Sequence, residues 1–318
     1  MVLLIFSLFV VKDSFLFHFG HETVDSVPIR FNVIDYTQNG KILFLTKHGI
    51  IQIDSSLTGT VHPLPKQYQE LKWYSHIFLL SPDEVLILAP ESLTTIDAIA
   101  LREGDYHLLG EARDRLYILE SGIDTRRITA LSLSSGKRVA RRTFYDLDSA
   151  WILPDRIVIR RDTALMICDL NLKNERNIAR ISKSTKVFPY QDGILICDGG
   201  RLEVYGYGGE IRSRASVRKY LIRPGSRFLI GFDRERLMVV RGPGFRPFIL
   251  RLSRPIDDAY PDGDIYLWMG GYYRLDPIAR KLYRLRIPVP TIVASDSGYY
   301  LQVGSFTCLL YTSPSPRD

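Results

Sequence analysis

The chain has 318 residues, 46% hydrophobic and 24% charged. That composition excludes collagen-like, disulfide-dense and disordered classes and leaves a globular protein with ample core. The formal net charge of +7 is unevenly placed: residues 1–112 hold 7 Lys+Arg against 13 Asp+Glu, and residues 113–318 hold 35 against 22. In a closed ring this would make one side acidic and the other basic.

In chain order, the apolar run Val2–Val11 comes first. It is too short to span a bilayer, because Lys12 and Asp13 interrupt it. It lacks the basic leader and small-residue cleavage site of a targeting segment. A strand hairpin, Leu8–Val11 turning to Phe15–Phe19, is the favoured reading over a targeting segment. It parallels the phrase Ile42–Asp54, in which an apolar strand meets the Lys47-His48-Gly49 turn and a second strand closes on aspartate. The same phrase runs over Val85–Asp97 and Ile157–Asp169, with the aspartate at the same spacing each time. Further copies start at Leu116, Ile194, Leu237, Ile265 and Tyr299, although Phe228–Phe232 competes with Leu237 as the strand of its copy. Spacings of this size match four-stranded repeat units.

Polarity grades within each copy. First strands are almost wholly apolar (ILFLT, VLILA, LYILE), second strands alternate, and closing segments are charged, as in Lys137–Arg142 and Ile211–Arg218. A radial blade buries its inner strands between neighbours and exposes its outer one. The pattern predicts an all-β chain, a β-propeller of seven or eight four-stranded blades forming one domain over residues 1–307. A two-sheet sandwich explains the alternation but not the decline.

Two phrases carry a family resemblance. Ile128–Lys137 resembles the quinoprotein-type repeat ending, with Ser132 where aspartate is usual. Ile265–Gly271 followed by Tyr273–Pro277 resembles kelch repeats, including the glycine pair. Both imply a β-propeller. The last residues, Cys308–Asp318, resemble a translated sequencing-library adapter, so residues 308–318 are expected to be a non-native tail with no strand after Tyr299–Val303 and the last blade cut short.

Candidate chemistry is sparse. His18 and His21 are too few for a zinc site, which needs several converging ligands. Asp54, Asp97, Asp169 and Asp276 could suggest cofactor ligands but sit where aspartate caps turns. Cys168 and Cys197 read as small core residues in adjacent copies, favouring a reducing, cytoplasmic setting. No phosphate-binding loop or nucleophile elbow occurs, and neither cofactor nor metal is expected. Arg138, Arg141 and Arg142, with Arg212, Arg214, Arg218 and Lys219, form two basic clusters expected on neighbouring outer strands. They are candidates for a polyanion, a nucleic acid or a protein partner, against the plain alternative of a solvated face. The favoured function is a non-catalytic scaffold that binds a partner protein through its loops. The alternatives are the propeller part of a larger enzyme, such as a propeller-gated peptidase, and a polyanion-binding propeller.

Overall fold

The computed structural model describes residues 8–311 except 13–14, 20–22, 30, 40, 55–56, 191–192, 199, 217–219, 226–227, 241–247, 263, 287–290, 296–297 and 304–305. Of residues 190, 224, 262 and 291–311, only the backbone is described. All regular structure among these residues is β-strand, and every strand pair is an antiparallel neighbour in sequence.

Of the nine sheets among the described residues, eight form a propeller ring, and the ninth has three strands, Thr291–Ser295, Gly298–Val303 and Phe306–Tyr311. Blade 1 has three strands (Leu8–Lys12, Phe15–Phe19, Val24–Pro28). Blades 2 to 8 have four each and begin at Asp35, Glu70, Asp105, Leu147, Lys186, Leu221 and Asp258. Within blades 2 to 8 the chain runs outward from the axis, and the first strands of blades 2 and 3, 3 and 4, 4 and 5, and 7 and 8 meet there. Two rims follow. Turns joining strands one to two and three to four lie on one rim; turns joining strands two to three, and the exits between blades, lie on the other.

The polarity gradient is the burial gradient. The second strands Ile42–Thr46, Ile77–Leu80 and Leu229–Phe232 are buried throughout, whereas the outermost Lys281–Arg284 is exposed throughout. Burial on both faces explains why those second strands carry no alternation. Leu43, Leu86, Tyr117, Val158, Leu195, Met238 and Tyr266 are all at most 4% exposed. Their strands are not all equivalent, however. Leu86 and Met238 lie on third strands, because Ile77–Leu80 and Leu229–Phe232 fill the second place in blades 3 and 7. Those four-residue strands are as apolar as the ones after them, and polarity alone does not rank two buried neighbours. Cys168 and Cys197 likewise sit on a third and a second strand, so they do not correspond.

The repeated aspartates mostly serve turns. Asp169 Oδ1 accepts from the Asn171 and Lys173 amides at 2.8 and 2.9 Å, and Asp276 Oδ1 from Ile278 and Ala279 at 2.8 and 2.9 Å. Asp54 holds Thr58. Asp97 is the exception, lying within the outermost strand Thr95–Ala100. Gly49 answers a different constraint: its φ is +147°, and a Cβ there would sit 2.3 Å from the His62 carbonyl oxygen. A side chain at that point would force the third and fourth strands of blade 2 apart.

Innermost strands have a blade partner along one edge only, so acidic side chains reach across to the next blade. Asp35 Oδ2 accepts from Leu71 N at 2.9 Å and Lys72 Nζ at 3.2 Å; Glu70 Oε2 accepts from Leu108 N at 3.0 Å. Glu111 reaches back to the Ser75 amide at 3.0 Å. Each carboxylate satisfies an amide that would be costly to leave unpaired.

Blade 1 closes the ring. On one side Phe9 and Leu16 pack with Ile42, Phe44 and Ile53 of blade 2; on the other Leu8, Phe19 and Val24 pack with Tyr266 and Leu285 of blade 8. Lys12 Nζ lies 3.3 Å from Asp258 and 4.4 Å from the centre of the Trp268 ring. Thr23 bridges Arg286. The hairpin reading of Leu8–Phe19 therefore stands, with Leu8 opposite Phe19 and Lys12 opposite Phe15.

His18, within this closing blade, is 8% exposed and stacks on Phe9 at 4.8 Å. Neither ring nitrogen has a hydrogen-bond partner among the described residues. Burial pushes its pKa below 6.5, although Asp25 and Asp54 pull the other way. The folded state therefore binds fewer protons at His18 than the unfolded state does, and stability is lost as pH falls below about 6.5. Burial raises Asp25, although His18 pulls the other way, and its contribution has the opposite sense, being lost as pH rises above 3.8. The urea midpoint should fall between pH 7.5 and pH 5.5 in the native chain and fall less in His18→Phe. Equal losses in both would remove His18 as the cause.

At the far end, Phe306–Tyr311 pairs with Gly298–Val303, Leu301 opposite Cys308 and Tyr300 opposite Leu309. The expectation that no strand follows Tyr299–Val303 is thus corrected. Phe306–Tyr311 is rich in β-prone residues, and the prolines that would stop pairing come only at Pro314 and Pro316.

Candidate functional site: an arginine-lined cleft on blade 6

Three strands of blade 6 build the site: Gly193–Asp198, Arg201–Tyr205 and Ile211–Ser216. Register sets Asp198 opposite Arg201, Ile196 opposite Glu203, Glu203 opposite Arg214, and Arg201 opposite Ser216. The period of two then sorts the side chains. Leu195, Leu202 and Val204 pack towards blade 7, and the opposite face carries Ile196, Asp198, Arg201, Glu203, Arg214 and Ser216. These residues line a cleft of about 680 Å³. The turn that starts it includes Gly200 at φ +82°, a left-handed conformation that glycine adopts without strain.

Glu203 is the organising group. Its Oε2 accepts from Tyr205 Oη at 2.9 Å, and its Oε1 lies 2.9 Å from Arg214 Nε and 3.6 Å from Arg201 Nη1. One carboxylate oxygen therefore holds two guanidiniums side by side. Burial, and then the Glu203 carboxylate, raise the Tyr205 phenol above its usual pKa, which keeps it a donor. Asp198 accepts from Ser182 Oγ, in the link from blade 5 to blade 6, at 3.0 Å. Both arginines remain open to solvent, at 67% and 59% side-chain exposure.

The two basic clusters of the sequence lie apart. Arg138, Arg141 and Arg142 are on the outermost strand of blade 4, Arg212 and Arg214 on that of blade 6, with blade 5 between them. The expected neighbouring strands are therefore two blades apart, because the repeat between them, Leu147–Arg180, supplies a whole blade. Arg218 and Lys219 lie outside the described residues. Arg141 pairs with Glu120 at 3.1 Å, Arg142 pairs with Glu175, and Arg212 pairs with Glu210 at 2.9 Å. Burial alone would raise Glu120, but hydrogen bonds from Arg127 and Arg141 outweigh it and hold the carboxyl below its usual range. Arg138 has no ion-pair partner among the described residues. Among those residues, too, no three His, Cys, Asp or Glu side chains are grouped to hold a metal ion, and no helix is long and apolar enough to cross a membrane.

Sequence reasoning missed Arg201, Ser216 and Ile123. Ile123 and Tyr145 are fully and 82% exposed. Ile123 tips the tight turn in which Gly122 N donates to Thr125 O at 2.7 Å, and Tyr145 leaves the outermost strand of the same blade. Both lie on the rim that carries the blade 6 cleft. The signal for Ile123 was available, since an isoleucine inside Gly-Ile-Asp-Thr has no strand to belong to.

Ring, radial strand order and loop-bearing rims define the protein as an eight-bladed β-propeller. Among solved structures it is similar to Hsv2 of Kluyveromyces marxianus, at 12% identity and a TM-score of 0.52, over 79% of this chain and 95% of that one. It is also similar to Hsv2 of Kluyveromyces lactis, at 12% identity and a TM-score of 0.51, over 86% and 97% of the two chains. At such identity the likeness is one of fold. No protein-family model matches the chain, and no curated protein matches it in sequence.

Proposed function

We propose that the protein is a non-catalytic propeller that binds a partner protein through the rim formed by blades 4 to 6. The observation that carries this is the pair Ile123 and Tyr145, large apolar side chains presented almost bare on one rim, on which the arginine-lined cleft also opens. Aromatic and arginine side chains are the groups that most often anchor interfaces, and a rigid ring holds such loops in fixed relation. Photo-crosslinking side chains placed at positions 123 and 145 should capture one discrete protein in an extract of the source cells. The same groups at Val61 and Ile249, which are exposed on the outermost strands of blades 2 and 7, should not. Capture at all four positions alike, or at none, would overturn the reading.

A polyanion remains a second reading, favoured by the excess of basic residues after residue 112 and by Arg138, which has no ion-pair partner among the described residues. Its mark would be heparin binding whose log affinity falls linearly with log salt. The ion pairs of Arg141, Arg142, Arg212 and Arg214 weigh against it, since each would have to open. Kelch-like ancestry is our reading of the Gly270-Gly271 turn. Gly270 has φ +61° with open space around its Cβ position, so conformation rather than close approach selects it.

A further inference from the structure

The geometry points to the kind of group the blade 6 cleft reads: a phosphomonoester carried on an extended segment of the partner protein. This rests on the partner-binding reading above.

The cleft gathers hydrogen-bond donors that no described residue uses. Arg214 spends Nε on Glu203, which leaves its two terminal nitrogens without a partner among the described residues. The Arg201 side chain makes one polar contact among them, at 3.6 Å. The Ser216 hydroxyl, directly across the strand pair from Arg201, makes none among them. Glu203 is already committed to Tyr205, Arg214 and Arg201, so it acts as a brace that orients the guanidiniums. Donors on three residues around one space suit a tetrahedral group with three terminal oxygens. A carboxylate, by contrast, is satisfied by one guanidinium fork.

Two features favour a peptide over a membrane or a nucleic acid. The walls also carry Asp198 and Glu203, which repel a continuous anionic surface but tolerate a single phosphate flanked by uncharged backbone. The outermost strand Ile211–Ser216 pairs only with Arg201–Tyr205 among the described residues. Its free edge can take an added strand, with backbone hydrogen bonds supplying affinity and alternate side chains supplying specificity. A strand added there places every second side chain on the face shared by Arg214 and Ser216.

The test uses the full chain and a degenerate peptide library with a fixed central phosphoserine, against the same library with serine. The phosphorylated library should be retained about tenfold better, the effect of one or two charge-assisted hydrogen bonds, and inorganic phosphate should compete. Arg214→Ala should abolish the preference, and Arg214→Lys should not restore it, because lysine lacks the fork. Ser216→Ala, at an exposed strand end, serves if Arg214→Ala melts early, and should lose several-fold. Equal retention of both libraries, a preference that survives Arg214→Ala, or one that Ser216→Ala leaves undiminished, overturns the site. Vesicles of equal phosphatidylcholine and phosphatidylserine that bind through Arg201 and Arg214 would overturn the peptide assignment in favour of a membrane. Crosslinking from positions 123 and 145 separates the two failures: if it persists without phosphate preference, only the phosphate inference falls.

Discussion

Tyr117→Ala should cost about 3–5 kcal/mol, the range for removing a fully buried aromatic ring. For a chain of this length that lowers the thermal midpoint by about 5–8 °C. Tyr117 is 0% exposed, on the second strand of blade 4. Its ring packs in a cluster with Ile157, Met166 and Leu170 of blade 5, and its hydroxyl donates to the Leu170 carbonyl at 2.9 Å. Cavity and hydrogen bond can be separated. Arg115 Nη1 donates to the same carbonyl at 3.0 Å, so Tyr117→Phe leaves Leu170 satisfied and should cost only about 1 kcal/mol. Comparable losses in the two variants would mean that the hydroxyl, and not the ring, joins the blades.

Phe19→Ala should be about as damaging, at roughly 3–5 kcal/mol, and more local. Phe19 is 3% exposed, with ring centres of Tyr266, Tyr272 and Tyr260 at 5.2, 5.7 and 6.3 Å. Among the described residues no strand of blade 8 joins the sheet of blade 1, and the backbone link there is the bridge at Thr23, where Val24 N donates to Arg286 O at 3.0 Å. The packing described across this seam is that of side chains. Loosening it should speed amide exchange in Phe15–Phe19 and leave Ile157–Ile159 of blade 5 protected.

What the sequence made legible follows from what polarity encodes. Ile42–Thr46 and Ile265–Trp268 announce double burial, and Lys281–Arg284 announces an outer edge, so ring and radial order could be read directly. Strand rank within a blade was less legible. Ile77–Leu80 and Val85–Leu88 are equally apolar, and only the hydrogen-bonded register decides which lies nearer the axis. The cleft depended on register even more. Arg201 and Ser216 are fifteen residues apart and meet only because Leu202 pairs with Ala215 and Glu203 with Arg214. Arginine density pointed to Arg214 of the cleft, but equally to blade 4, where Glu120 and Glu175 already occupy Arg141 and Arg142. Charge counts register cations, and they do not register the carboxylates that a fold brings to them.

The ring, with its rim and its cleft, depends on blade 1 seating against blade 8, and a double-mutant cycle on Phe19 and Tyr266 measures that contact directly. Phe19→Ala, Tyr266→Ala and the double variant would be unfolded in urea under identical conditions. A closed ring gives a coupling of about 0.5–1.5 kcal/mol between the two rings, the double variant being less destabilised than the two single losses together. Losses that add to within about 0.3 kcal/mol would show that the two side chains do not meet, and that the ring is open between blades 1 and 8.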